Sequence, residues 1–295
     1  GDMICVNVAD GKEVWRKNFG KDFGGKMMSQ WGFSESPLID GDKVVVTPGA
    51  ADAMIVALNK KTGALIWKSA QPDIGSKGKD GAAYSSIVIG QCAGVKQYIT
   101  LTGRGVIGVR AEDGKFLWGY NKAINNVANI TSPVVKGDTV FASSAYGTGS
   151  ALLKLSADGQ GGVKAEEVYF LDAKTFANHH GGVVLVGDYL YGGTGQNAGL
   201  PVCIEMATGK IVWKAPKAEA GGSAAVLYAD GNVIFRYEKD AVVALIAATP
   251  DGYKLQGTFK AAASDGPSWA HPVIQDGKLY LRSHDTLMCY NVSAK

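Results

Sequence analysis

Apolar and polar residues alternate along this chain in short runs, and glycine-containing turns separate one run from the next. Alternation with a period of two marks strands that bury one face, and no stretch keeps helical apolar spacing for three turns. The pattern predicts an all-β chain.

The runs recur in a fixed order. One unit is an apolar strand, a turn ending in Asp-Gly or Thr-Gly, and a strand with an aromatic four residues after the glycine. It is written at 3–15, 54–67, 106–118 and 202–213, ending on Trp15, Trp67, Trp118 and Trp213. The turn glycines Gly11, Gly63, Gly114 and Gly209, with a degenerate copy near Gly159, fit a period of roughly 45–52 residues. A second unit precedes the first, two strands joined by a Gly-Asp or Asp-Gly turn, at 37–46, 133–142, 183–191, 226–235 and 272–281. Each unit reads as a hairpin, and two hairpins per repeat make a four-stranded antiparallel blade. Five whole repeats lie between a half blade at 1–17 and three strands of another at about 269–293. The expectation is a single domain over 1–295 that stops short of a regular eight-bladed ring, with an unpaired strand edge open to another chain.

Composition sharpens this picture in two places. Forty glycines in 295 residues, spread evenly, mean many tight turns and hence many short strands. Thirty Lys+Arg against 27 Asp+Glu leave a formal charge of +3, with the lysines scattered, which argues against nucleic acid as a partner. The longest wholly apolar run, Ala241 to Ala248, is far shorter than the ~20 residues of a membrane-spanning helix.

The four cysteines follow the repeat. Cys5, Cys203 and Cys289 occupy the slot held by Ala57 and Gly108 in other copies, so buried, unpaired thiols in third strands are expected. The repeat tryptophans read as wedges between neighbouring sheets, each indole N–H finding a backbone acceptor. The stretch Gly193-Thr-Gly-Gln-Asn-Ala198 matches a dinucleotide-binding pattern only by letter, because a strand and not a helix follows it.

The stretch from Ala57 to Trp67 resembles the quinoprotein-type propeller repeat, Ala-x-Asp-x-x-Thr-Gly-x-x-x-Trp, with Asn59 in place of the aspartate. The runs at 34–37, 178–182 and 266–272 are similar to those of exported bacterial propellers described as PQQ-binding-like repeat proteins. The resemblance spans essentially the whole chain. It implies a β-propeller, eight-bladed in such relatives with further N-terminal repeats, and a periplasmic or cell-envelope location. It does not by itself imply an activity, since this propeller hosts dehydrogenases, a lipoprotein of the outer-membrane β-barrel assembly machinery, and other proteins.

In a propeller the strand starts and the loops after second strands converge on one mouth of the central channel. Those positions hold Trp31, Glu35, Tyr84, Arg104, Asn129, His179, His180, Trp269 and His271, with Ser36, Ser86, Ser132, Ser223 and Glu238 beside them. Convergent aromatic, imidazole and charged groups outside the repeat's own packing make this mouth the candidate ligand site. His179 and His180, if extended, point to opposite faces, with His180 in register with Trp269. The first reading is a non-catalytic binding or scaffold propeller for a small molecule, glycan or protein segment. The alternative implied by the resemblance is an oxidoreductase using pyrroloquinoline quinone (PQQ) and calcium, with Glu35 and Asn129 as candidate ligands; the adjacent cysteine pair of many such enzymes is absent.

Overall fold

The computed structural model describes residues 1–263 and 266–293. It begins with a two-stranded antiparallel sheet, β1 (Asp2–Val6) and β2 (Glu13–Asn18), followed by one short helix, α1 (Phe19–Phe23). Five four-stranded sheets follow, each in simple sequential order. They are β3 (Leu38–Asp40), β4 (Lys43–Val46), β5 (Ile55–Asn59), β6 (Leu65–Ser69); then β7 (Val88–Cys92), β8 (Val95–Leu101), β9 (Val106–Arg110), β10 (Phe116–Tyr120). The third is β11 (Val134–Lys136), β12 (Thr139–Ser144), β13 (Gly149–Ala157), β14 (Val163–Asp172); the fourth is β15 (Val183–Val186), β16 (Tyr189–Thr194), β17 (Leu200–Glu205), β18 (Ile211–Lys214). The fifth is β19 (Ala224–Ala229), β20 (Asn232–Tyr237), β21 (Val242–Ala247), β22 (Leu255–Lys260), and β23 (Val273–Gln275), β24 (Lys278–Ser283), β25 (Thr286–Asn291) form a three-stranded sheet. Among the described residues the sheets of two, four and three strands have the strand content expected from the repeat. The helix α1 departs from it; Asn18 caps its N-terminus and Gly24, at φ 66°, ends it.

The turn between third and fourth strands is built the same way in four copies. The glycine N–H bonds the carbonyl four residues back: Gly11 to Asn7, Gly63 to Asn59, Gly114 to Arg110 and Gly209 to Glu205. All four glycines have φ between 69° and 74°, a left-handed conformation that a side chain disfavours.

The chain divides into two compact units, Gly1–Val168 and Tyr169–Lys295. In the first, Val45, Met54, Ile55, Ala57 and Trp67 pack against Ile87, Tyr98, Ile107 and Val109 of the next sheet. In the second, Tyr191, Cys203 and Trp213 pack against Ala224, Val226, Val233 and Phe235. The core therefore lies between successive sheets, built by the inward residues of each alternation.

The wedge reading holds for three tryptophans and needs three corrections. Trp15 donates to Lys60 O at 3.1 Å and Trp213 to Thr249 O at 2.8 Å, both in the next sheet's turn. Trp67 stacks on Tyr98, but its indole N–H is buried without a hydrogen-bond partner. Trp15 is only partly buried. Trp118 instead turns over Gly108 of its own sheet and donates to Gln97 Oε1 at 2.7 Å. The degenerate repeat has its own wedge: Tyr169 lies on Gly209 and donates to Met206 O at 2.8 Å. All four cysteines are free. Cys203 and Cys92 are buried, Cys5 partly so, and Cys289, expected to be buried, is exposed. In β17 the fourth-strand Trp213 lies opposite Cys203, whereas among the described residues no fourth strand covers β25.

Candidate functional site

In the first unit the polar strand-start residues mostly hold the sheets together. Ser36 N–H donates to Ser86 Oγ at 2.9 Å, and Ser86 N–H to Ser132 Oγ at 3.0 Å, one link per sheet junction. Asn129 is fully buried: its Oδ1 accepts from Asn125 N–H at 2.9 Å and from the Ser144 hydroxyl at 3.0 Å, and its amide donates to Thr102 O. Its carbonyl accepts from the Tyr84 N–H. The Tyr84 hydroxyl lies 2.7 Å from Ser29 Oγ and accepts from the Trp31 N–H, and the two rings meet edge to face at 5.9 Å. Trp31, Tyr84 and Asn129 thus form one connected group.

Glu35 and Arg104 belong to other networks. Glu35 turns its carboxylate onto Thr47, whose N–H and hydroxyl donate to it at 2.5 and 2.7 Å. Burial pushes this carboxyl up to about 7, against the two hydrogen bonds that favour its charge. Arg104 clamps the preceding loop through Asp80 at 2.7 Å and Ser76 O at 3.1 Å. The oxygens proposed for calcium are therefore already engaged, and Glu35 and Asn129 sit in separate networks. Among the described residues no three His, Cys, Asp or Glu groups gather to hold a metal. The residues do not fit the quinone-and-calcium arrangement.

The second unit brings the remaining candidates together. His179 and His180 lie in the loop ahead of β15 and not in a strand, because Asn178 folds the chain back on itself. The Asn178 amide donates to Gly182 O and Gly193 O, and its Oδ1 accepts from the Gly182 N–H. The two imidazoles consequently sit side by side, centroids 4.6 Å apart, and not on opposite faces. His179 Nδ1 lies 2.7 Å from Ser223 Oγ, and His271 Nε2 lies 3.2 Å from His180 O. His180 does meet Trp269, with ring centroids at 6.1 Å. Glu238, one residue past β20, ties the group: Oε1 accepts the Trp269 indole N–H at 2.8 Å, and Oε2 is 3.4 Å from His180 Nε2. That second approach lacks hydrogen-bond alignment, and both His180 ring nitrogens are buried without a partner.

Charge in this group is set by burial. Burial, then the neighbouring His180, pushes His179 down to about 4; burial also lowers His180, against the pull of Glu238. For Glu238, burial works upward but is outweighed by the Trp269 N–H and His180, so it remains a carboxylate. Beneath it Arg236 is buried, its guanidinium donating to Tyr237 O, Ser268 O and Ser268 Oγ, which fixes the residue before Trp269. Sequence reading noted Glu238 as a loop residue but gave no sign of its tie to Trp269. Arg236 carried no signal, since it sits in the body of a strand.

A family model described as outer membrane protein assembly factor BamB matches residues 1–215. No curated protein sequence matches the chain. Among solved structures, BamB from Moraxella catarrhalis superposes with a TM-score of 0.65 at 14% identity, over 98% of this chain and 78% of that one. The Cps50 (Swd1) β-propeller domain of Myceliophteria thermophila gives 0.60 at 14% identity, over 90% and 85%. Dihydro-heme d1 dehydrogenase NirN gives 0.57 at 11% identity, over 98% and 59%. At such identities the likeness shows the fold alone, and that fold is the β-propeller.

Proposed function

We propose that this chain, which belongs to the family of the outer membrane protein assembly factor BamB, is a non-catalytic propeller that docks a segment of another protein. Its docking site is the cluster of His179, His180, Glu238, Trp269 and His271. The observation that carries this reading is Trp269. The residue is 46% exposed and its indole N–H is committed to Glu238. An exposed aromatic held by a polar frame is the usual anchor of a protein interface. The family's description places its namesake in outer membrane protein assembly, so the location proposed for this chain is the cell envelope, on the periplasmic side. Among the described residues no helix is long and apolar enough to cross a membrane.

The test pairs cross-linking with a cofactor titration. A photo-reactive amino acid at position 239, exposed beside Trp269, should trap a discrete envelope protein, and a Glu238→Gln chain carrying it should trap markedly less. Pyrroloquinoline quinone with calcium should leave the absorbance of the mixture equal to the sum of its parts. Saturable quinone binding together with dehydrogenase activity would overturn the reading.

A further inference from the structure

A cleft of about 520 Å³ opens between the turn at 238–240 and the segment ending at Trp269, lined by Glu238, Lys239, Asp240, Gly266, Pro267 and Trp269. We infer that this cleft binds a lysine or arginine side chain of an extended partner segment; the inference rests on the protein-docking reading and names the chemistry of what docks.

Three features point to a cation. The first is Trp269, which lines the cleft and is exposed there, with its indole held by the 2.8 Å hydrogen bond to Glu238. A cation over an indole face is attracted by the ring quadrupole, and indole is the strongest of the aromatic partners. The second is negative charge at the edge of the cleft, of which the buried Arg236 guanidinium offsets only the part carried by Glu238. Glu238 is held ionised, and Asp240 is exposed and forms no ion pair among the described residues. Lys239 does not neutralise them, because its stem runs over the backbone of Gly221 and Gly222; its Cδ is 3.2 Å from where a Gly221 side chain would begin. The third is the backing of the site. His180, 11% exposed at its side chain, stands against both Trp269 and Glu238 with neither ring nitrogen hydrogen-bonded.

A neutral sugar would cover the ring but leave the exposed Asp240 carboxylate unmatched, and an acidic segment would meet like charge. The cleft is open, which suits an extended segment laid across it. The left-handed residues Asp240 and Ala241 give no separate sign of function, since Gln196 and His284 adopt the same conformation between second and third strands elsewhere in this unit.

The probe is acetyl-Gly-Arg-Arg-Gly-amide titrated calorimetrically into the full chain, beside the Glu-containing analogue and glucose. The arginine peptide should bind saturably and weaken as salt is raised. Trp269→Ala and Asp240→Asn should each weaken it about tenfold or somewhat less, while Trp269→Phe, which keeps a ring face, should retain most of the affinity. Asp240→Asn is an exposed, conservative change and decides the matter if Trp269→Ala does not fold. Equal binding of the glutamate peptide or glucose, or undiminished arginine binding by Asp240→Asn, overturns the inference. If position 239 traps an envelope protein but the arginine peptide does not bind, the inference falls and protein docking stands. If the peptide binds as expected but nothing is trapped, the cleft chemistry stands and protein docking falls.

Discussion

The indole of Trp67 lies directly on the α-carbon of Gly114, the turn glycine of the next repeat. A methyl group built on Gly114 would stand 2.5 Å from the Trp67 ring, closer than real side-chain contacts allow. Trp15 covers Gly63 in the same way. The turn glycine therefore has two tasks, a left-handed backbone and a seat for the preceding sheet's wedge. Gly114→Ala should cost about 3 kcal/mol, from strain at φ 74° plus displacement of the ring. Gly137→Ala is the control: it is left-handed at φ 54° with nothing near its missing Cβ, and should cost about 1 kcal/mol. Urea unfolding of the two variants checks the difference.

Glu35 should make the protein less stable as pH rises toward neutrality. Its folded value of about 7 lies above the ordinary 4.5, so the unfolded chain gives up this proton first. The stability it contributes is complete below pH 4.5 and is lost as pH rises through 7. Glu35→Gln should remove that slope, which is worth on the order of 2 kcal/mol for a half-buried group. Urea midpoints of both proteins between pH 4.5 and 8 provide the measurement.

His179 acts in the opposite direction. Its folded value of about 4 lies below the ordinary 6.5, so the unfolded chain takes up the proton first as pH falls. Stability from this imidazole is complete above 6.5 and is lost as pH falls toward 4, by on the order of 2 kcal/mol. The carbon-bound ring protons of His179 should keep their neutral-form shifts in NMR spectra from pH 8 down to 5. A midpoint near 6.5 would contradict the burial argument.

Thiol reactivity should separate the cysteines. Burial pushes Cys92 and Cys203 up to about 11, so almost no thiolate forms at pH 8 and neither is accessible. Iodoacetamide should label exposed Cys289 first, and Cys92 and Cys203 only after unfolding. Mass spectrometry of digests taken over time reads the order directly.

The blades were legible in the sequence because each is assembled from short-range signals. Alternation over a few residues fixes a strand, and a left-handed glycine closes a turn within four residues. The half blade at the start, the five whole blades and the three-stranded remainder all follow from that grammar. The wedge of the degenerate repeat was not legible: Tyr169 takes its place from outside the glycine-plus-four spacing.

What only the tertiary structure decided lies where local periodicity stops. His179 and His180 were read with the two-residue alternation of a strand, but Asn178 pins them in a loop through bonds to Gly182 and Gly193, and the rings turn to one side. Cys289 has the register of buried Cys203, yet its burial would depend on a fourth strand that the described residues do not provide. Glu238 and Trp269 are joined across 31 residues. The sequence by itself determined the repeating strands and turns, since their hydrogen bonds and alternation are local. The site's charges, pairings and exposure depend on which distant loops the packing of sheet on sheet brings into contact.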